Sequence, residues 1–226
     1  RSYDAVAAKK SATNLIDPAQ IAVWPQVKLG SKQFHLSTQL AGLMAKVDSG
    51  NDGVPYESPS NKALQCDGAC LEDGTAITLT LEQANIPNAN GICTALKFMN
   101  GFVAWGNYTA CYPSNTDIKD YFIPISRMFK WVGNSLIKTF WSKTDSPMNR
   151  RLLDNIKDSA NNWLAGLVGS EYLLGARVEI LDSENPMTDL MAGIVRIHIY
   201  MTPPSPAQEI DFVLEYDTDY VQSALA

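Results

Sequence analysis

Near its C-terminal end, the chain alternates apolar and acidic side chains over residues 208–216. A period of two residues is typical of a β-strand that buries one face and leaves the other in water. The pattern therefore predicts a half-buried strand whose apolar face must be covered by something. That face consists of Ile210, Phe212, Leu214 and Tyr216.

Two earlier strands are predicted at residues 177–181 and 194–201, and a proline-dense link follows the second. The three prolines within residues 202–207 favour an extended, semi-rigid course and exclude a two-residue hairpin. The last strand must then pair elsewhere in its own sheet or add to the edge of another subunit. The pattern alone favours an edge strand within the same chain.

Two long amphipathic helices are predicted before these strands, at residues 126–141 and from 147 to about 167. Ser146 is the expected N-cap of the second, Pro147 its first residue, and Gly169 its C-terminal stop. Such a pair needs a sheet against its remaining apolar surface. The positions predicted to face inward are Met128, Phe129, Val132, Leu136, Ile137 and Phe140 in the first helix, and Leu152, Leu153, Ile156, Ala160, Trp163, Leu164 and Leu167 in the second.

The chain changes character at residues 112–124, where turn-forming residues cluster. Before them, short strand candidates at 21–29 and 76–81 accompany one predicted helix at 37–47. We therefore predict an α+β protein with a mixed α/β domain at residues 1–116. A second domain, at 117–226, has two long helices packed on a small sheet, and its terminal arm spans about 202–226.

Composition limits the function. A chain of 226 residues with 46% hydrophobic and 19% charged residues can bury the core of one large or two small domains. No apolar run approaches the roughly 20 residues of a membrane-spanning helix, and no secretory signal opens the chain. The net charge of −6 argues against nucleic acid as the main partner. Because the sequence starts at Arg1, we expect either upstream sequence or processing.

The cysteines and histidines do not form a catalytic or metal-binding pattern. Their spacing makes a zinc site improbable, and free buried thiols are the favoured interpretation for Cys66, Cys70, Cys93 and Cys111. Asp182, Glu184 and Asp189 lie in a polar connection that reads as a solvated loop. We predict no catalytic residue, metal or cofactor. A hydrolase, the alternative class, would depend on His35 or His198, the two histidines.

Six stretches of the chain resemble the tail sheath protein of contractile-tailed bacteriophages and related phage-tail-like particles. The similarity covers nearly the whole chain and is strongest from residue 102 onward. The family usually carries further N-terminal sequence with an extended arm, which we expect to lie outside this chain. The stretches are residues 54–64 (VPYESPSNKAL), 102–115 (FVAWGNYTACYPSN), 124–141 (PISRMFKWVGNSLIKTFW), 146–167 (SPMNRRLLDNIKDSANNWLAGL), 185–193 (NPMTDLMAG) and 202–217 (TPPSPAQEIDFVLEYD).

The resemblance implies a structural subunit that polymerises into a helical tube around a tail tube and contracts to drive that tube through a cell envelope. In sheath proteins, terminal strands from neighbouring subunits complete a small sheet, and residues 208–216 fit such a donor strand. The interface residues it implies are Ile210, Phe212, Leu214 and Tyr216 in the donor, and Val178, Ile180, Ile197 and Ile199 in the sheet.

The resemblance also implies partners and a location. The expected partners are further copies of the chain in stacked rings, the tail tube protein, and the baseplate and tail terminator proteins, without nucleic acid or membrane insertion. The expected place is the virion tail, after assembly in the host bacterial cytoplasm. Arg150, Arg151 and Lys157 are candidates for the tube contact, although a solvated helix face is the favoured reading. A self-contained baseplate-like or binding module is the alternative function.

Overall fold

The structure is a computed structural model that describes residues 2–99, 101–217, 220, 224 and 225. Helices and small sheets alternate along the chain, which confirms the predicted α+β class. The helices are α1 (Tyr3–Ala12), α2 (Leu36–Gly50), α3 (Leu81–Asn88), α4 (Ile118–Tyr121), α5 (Ile123–Phe140), α6 (Arg150–Gly169) and α7 (Met187–Met191). The strands are β1 (Ala22–Val23), β2 (Gln26–Leu29), β3 (Lys32–Phe34), β4 (Gly68–Cys70), β5 (Ala76–Ile77), β6 (Ile92–Phe98), β7 (Gly101–Trp105), β8 (Gly175–Glu179) and β9 (His198–Thr202).

The strands of the described residues form three sheets. In the first, β6 lies between β1, which is parallel to it, and β7, which is antiparallel. The second has the order β3-β2-β4-β5 and is antiparallel throughout. The third consists of the antiparallel pair β8 and β9, which matches the two strands predicted after the long helices.

The first half of the chain corrects several sequence predictions. The expected strand at 21–29 is divided at Pro25, which has no N–H to donate to a ladder. The expected strand at 76–81 ends at Ile77, because Thr80 caps α3 in a reciprocal capping box with Gln83. The helix predicted at 37–47 is confirmed and extends to Gly50.

Helices α1 and α3 and the hairpin of β6 and β7 were not predicted. The two helices lack a continuous apolar stripe, and α3 contains Pro87. Residues 92–96 of β6 are all buried, so this strand has no alternation of apolar and polar positions to reveal it.

The two long helices are confirmed, with corrections at their ends. The N-cap of α6 is Asn149, whose side chain accepts a 2.9 Å hydrogen bond from the Leu152 amide, and not Ser146. Pro147 therefore precedes the helix. Helix α6 ends at Gly169, as predicted. On α5, Ile137 is exposed rather than inward, because it lies off the stripe of Met128 and Val132.

The two larger of three apolar clusters among the described residues join the main elements of the chain. One joins α2 to the first two sheets and includes Leu40, Val27 and Ile123. The other lies between α5, α6 and the β8–β9 sheet and is centred on Met128 and Leu164. Ile123 comes from the second predicted domain, so the packing crosses the boundary at residue 116, and the division into domains remains a prediction.

Polar contacts cross the same boundary. The Arg127 guanidinium donates two hydrogen bonds to the Asp48 carboxylate, one of them at 3.1 Å from Nη1 to Oδ1. The Tyr172 hydroxyl donates to Asp52 at 3.1 Å. These contacts fix the start of α5 and the end of α6 against the C-terminal end of α2.

Candidate subunit interface

The β8–β9 sheet presents two different faces. Its inner face packs on α5 and α6 through Val178, which is buried, and through Ile199 and Met201, which are partly buried. Val178 and Ile199 are register partners. Of the other predicted sheet residues, Ile180 directly follows β8 and Ile197 directly precedes β9, and both are half-buried.

The outer face of the sheet carries a chain of paired polar groups. The Arg177 guanidinium lies 3.8 Å from the centre of the Tyr200 ring, and its Nε donates to Glu179 at 3.0 Å. His198 stacks on Tyr200 with ring centroids 4.3 Å apart, and its Nδ1 is 2.8 Å from Glu184 Oε1. His198 is thus part of a polar surface of stacked and hydrogen-bonded side chains rather than of a nucleophile–base arrangement.

A side chain of α6 satisfies the backbone of β8. Asn161 Oδ1 accepts a 2.9 Å hydrogen bond from the Val178 amide, and Asn161 Nδ2 donates to the Val178 carbonyl at 3.3 Å. An amide side chain therefore binds both the backbone N–H and the backbone C=O of Val178, the fourth of the five residues of β8. Nothing in the sequence indicates this role, because asparagine on an amphipathic helix is ordinarily a surface residue.

A second asparagine closes the loop end of the sheet. Asn185, which is buried, donates to the carbonyls of Leu181 and Arg196 at 2.8 and 2.9 Å and accepts from the Arg196 amide at 2.7 Å. Arg196 also pairs with Asp189 at 2.5 Å. The loop carboxylates Glu184 and Asp189 thus order the connection between the strands, which sequence reasoning had read as a solvated loop.

The C-terminal segment, residues 203–217, has no regular secondary structure. Pro203 is buried and Pro204 and Pro206 are half-buried, whereas residues 207–217 are exposed. The expectation of an edge strand within the same chain is therefore wrong, because no strand lies beside residues 208–216 to supply hydrogen bonds. Phe212 is 85% exposed and Leu214 94% exposed, and Ile210 and Tyr216 are exposed as well. Residues 218, 219, 221–223 and 226 of the predicted arm lie outside the described residues.

A hydrogen bond between side chains attaches Gln208 of this segment to the first half of the chain. The Tyr108 hydroxyl donates to Gln208 Oε1, and Tyr108 is itself stacked on Tyr112. Between the segment and residues of the first half, including Trp105 and Tyr56, lies a cleft of about 1140 Å³. The segment lines one side of this cleft from Pro204 to Ile210.

The predicted basic candidates lie near the start of α6. The Arg150 side chain is 95% exposed, and its Nε is 3.7 Å from Asp154. Arg151 is exposed and Lys157 half-buried. The structure does not gather them into a pocket, and a solvated helix face agrees with these exposures.

The structure gives no support to thiol chemistry. All four cysteines are free thiols, as expected. Burial raises the pKa of Cys93 to about 12 and that of Cys66 to about 11, so both thiols stay protonated near neutral pH. Among the described residues, no group of three or more His, Cys, Asp or Glu side chains is placed to hold a metal ion. Nor does any described helix combine the length and apolar character needed to cross a bilayer.

Comparison with known proteins gives one sequence relative, whereas no family model matches. The chain is 27% identical over 187 residues to the tail sheath protein of Burkholderia phage BcepMu. The match covers 82% of this chain and 39% of the phage protein.

Solved structures share the fold. A chain of the contracted PVC sheath complex, from an extracellular contractile injection system, superposes with a TM-score of 0.78 at 20% identity, over 95% of this chain and 61% of that one. A chain of the anti-feeding prophage baseplate superposes with a TM-score of 0.76 at 22% identity. A chain of the contracted helical sheath of the same prophage superposes with a TM-score of 0.74 at 23% identity. These cover 89% and 88% of this chain, respectively, and 56% of each matched chain.

The chain thus spans 39% of the length of its phage relative and 56% to 61% of these solved chains. Over that span the chain shares the fold of these solved chains. The resemblance to tail sheath proteins that was drawn from the sequence is confirmed: this chain is similar in sequence to a phage tail sheath protein and in fold to chains of contractile sheaths.

Proposed function

We propose that this chain is part of a structural subunit of a contractile tail sheath, which assembles into a helical tube around a tail tube and has no catalytic role. Its contraction drives the tube through the envelope of a target cell. One observation carries the proposal: an alternating apolar segment, residues 208–216, is exposed in the same chain as a sheet to which the described residues contribute two strands. Exposed apolar side chains in such a row mark an interaction site.

The segment is proposed to act as a donor strand for a neighbouring copy. Extended, the nine residues of 208–216 reach about 30 Å, enough to leave one subunit and lie along the next. Main-chain hydrogen bonds then supply affinity, and the alternate side chains supply register. The proposed interface comprises Ile210, Phe212, Leu214 and Tyr216 of the donor with Val178, Ile180, Ile197 and Ile199 of the acceptor.

Contraction requires no nucleotide in this proposal. The extended sheath is a metastable assembly whose subunits gain contacts in the contracted state, and a difference of about a few kcal/mol per subunit sums over many rings to substantial work. Strand donation keeps the subunits linked while they move.

The remaining partners are proposed on the same basis. The tail tube contacts the basic side chains at the start of α6, Arg150, Arg151 and Lys157, and the ends of the sheath meet the baseplate and the tail terminator. The sheath assembles in the cytoplasm of the host bacterium and becomes part of the virion tail or of a phage-like particle.

The alternative is a self-contained baseplate-like module, which the likeness to a chain of the anti-feeding prophage baseplate supports. Electron microscopy of the complete gene product separates the two. Tubular polysheaths, formed alone or with tube protein, are the expected result. A compact monomer under all conditions, with and without tube protein, would contradict the sheath proposal and favour the module.

A further inference from the structure

We infer that the incoming strand binds the outer edge of β9, and that Asn161 closes the edge of β8 against strand addition. This inference rests on the proposed strand donation and adds the side on which donation occurs. A sheet of two strands has two outer edges, and each is a template for another strand unless something covers it.

The backbone hydrogen bonds of Val178 identify the covered edge. An amide N–H donates one strong hydrogen bond, and that of Val178 goes to Asn161, so it does not point at β9. In an antiparallel pair, residues alternate between those that bond across the pair and those that face outward. The backbone N–H and C=O of Val178 therefore point away from β9, to the outer edge of β8, and Asn161 binds both of them there.

The same alternation places the backbone of Ile199 on the opposite edge. Ile199 is the register partner of Val178, so its N–H and C=O point outward from β9. Asn185 forms hydrogen bonds with Leu181 and Arg196, which lie after the end of β8 and before the start of β9. It therefore does not occupy the outer side of β9.

Displacing Asn161 is unfavourable. It follows Ala160, which is buried, and precedes Leu164, which is buried in the cluster under the sheet, so α6 cannot move away from β8 without uncovering that cluster. A strand arriving at β8 would have to break both Asn161 hydrogen bonds. A strand arriving at β9 meets outward backbone groups and can pair at once.

Side chains fit the β9 edge as well. The apolar set of the donor, including Phe212, extends the inner face beside Ile199 and Met201, which are only partly buried. The polar set, including Asp211, then falls on the outer face, where Arg177 lies.

Disulfide trapping in the assembled sheath tests the edge. Arg177 and Tyr200 are register partners on the same face, one on each strand, so they form a matched pair of positions. A strand beside β9 lies about 5 Å from residue 200 and about 10 Å from residue 177, and a disulfide needs Cα atoms within about 7 Å. Tyr200→Cys and Arg177→Cys are each combined with cysteine at 211, 213 or 215, in a Cys66→Ser background.

We expect intermolecular disulfides with Tyr200→Cys and at least tenfold fewer with Arg177→Cys. Trapping mainly through Arg177→Cys would overturn the edge assignment and leave strand donation intact. Sheaths that form without trapping at either position would instead contradict donation to this sheet, and with it the proposed role of the segment.

Amide hydrogen exchange is a second test of which edge receives the strand, and it requires no substitutions in the sheet. In the free subunit, the Val178 amide is protected by Asn161 and the Ile199 amide exchanges freely. Assembly is expected to slow exchange at Ile199 at least tenfold and to leave Val178 unchanged. An Ile199 amide already protected in the free subunit, or one unchanged on assembly, would overturn the inference.

Discussion

The Tyr108 hydroxyl donates a 2.7 Å hydrogen bond to Gln208 Oε1, across 100 positions of sequence. The Tyr108 ring is held in turn by Tyr112, with centroids 4.1 Å apart. Gln208 lies where the proline link ends and the exposed apolar run begins, so this contact holds the start of that run against the first half of the chain.

Tyr108→Phe is expected to make the segment around Gln208 more mobile without unfolding the subunit. It removes one exposed hydrogen bond, worth about 0.5–1.5 kcal/mol, while the ring stack remains. Proteolysis between residues 203 and 208 should accelerate several-fold, with the Tm nearly unchanged. Tyr112→Phe is the matched control, because it removes a neighbouring hydroxyl and keeps the bond to Gln208; equal rates for both variants would contradict an anchoring role.

Phe212→Asp should abolish sheath assembly and leave the free subunit intact. Phe212 is 85% exposed in the subunit, so the substitution should change its stability by no more than about 0.5 kcal/mol. At a donated junction it places an unpaired charge against an apolar surface, which costs several kcal/mol, on the order of the penalty for burying such a group. Microscopy of sheaths and thermal unfolding of the subunit measure the two effects.

Val213→Asp is the control for this prediction. Val213 is also apolar and is 83% exposed. It lies on the same face of the segment as Asp211 and Glu215, however, and should face solvent after donation. Assembly is expected to persist. If both variants assemble alike, the face that contains Phe212 does not form the interface. A large loss of Tm with Phe212→Asp would mean that the segment packs within its own subunit.

Asn161→Ala is expected to destabilise the subunit by about 1–3 kcal/mol. The substitution leaves the Val178 N–H and C=O without their side-chain partner on a sheet edge. Asn162→Ala, at the adjacent exposed position, should lie within about 0.5 kcal/mol of the parent chain. Urea unfolding compares the two, and equal stabilities would mean that Asn161 adds nothing to the sheet.

Limited proteolysis tests the organisation of the chain. Cleavage is expected first within residues 207–217, which are exposed and without regular structure, and next at residues 112–117, where we predict the boundary between the two domains. Helix α6 should resist cleavage, since Leu164 and Leu167 are buried against α5 and the sheet. Early fragments that end within residues 152–167 would contradict this architecture.

The thiol of Cys66 should react slowly and in a strongly pH-dependent way. Burial raises the pKa of this thiol to about 11, and the reactive thiolate is therefore scarce at pH 7. Its labelling rate with a disulfide reagent should rise about tenfold per pH unit from pH 7 to 10. A rate that levels off near pH 9 would show a thiol with an ordinary pKa.

Several elements could be predicted because their signal is local. The apolar stripe that contains Met128 and Val132 requires a 3.6-residue period, and the alternation around Phe212 requires a period of two, wherever the rest of the chain lies. Helices α2, α5 and α6 and the strands β8 and β9 follow from such patterns. So does the alternation of apolar and polar positions in residues 208–216. The ends of α6 were less certain, because Ser146 and Asn149 are both good N-caps.

Other features depended on contacts between distant residues. Strand β6 has no alternation because neighbours cover both of its faces, and Asn161 has a role only because α6 lies against β8. Nor could the sequence tell whether residues 208–216 pair within the chain or leave it, since a period of two only requires that one face be covered. Tertiary structure decided against pairing within the chain, because no strand of the described residues lies beside this segment and Gln208, at its origin, accepts a hydrogen bond from Tyr108 instead.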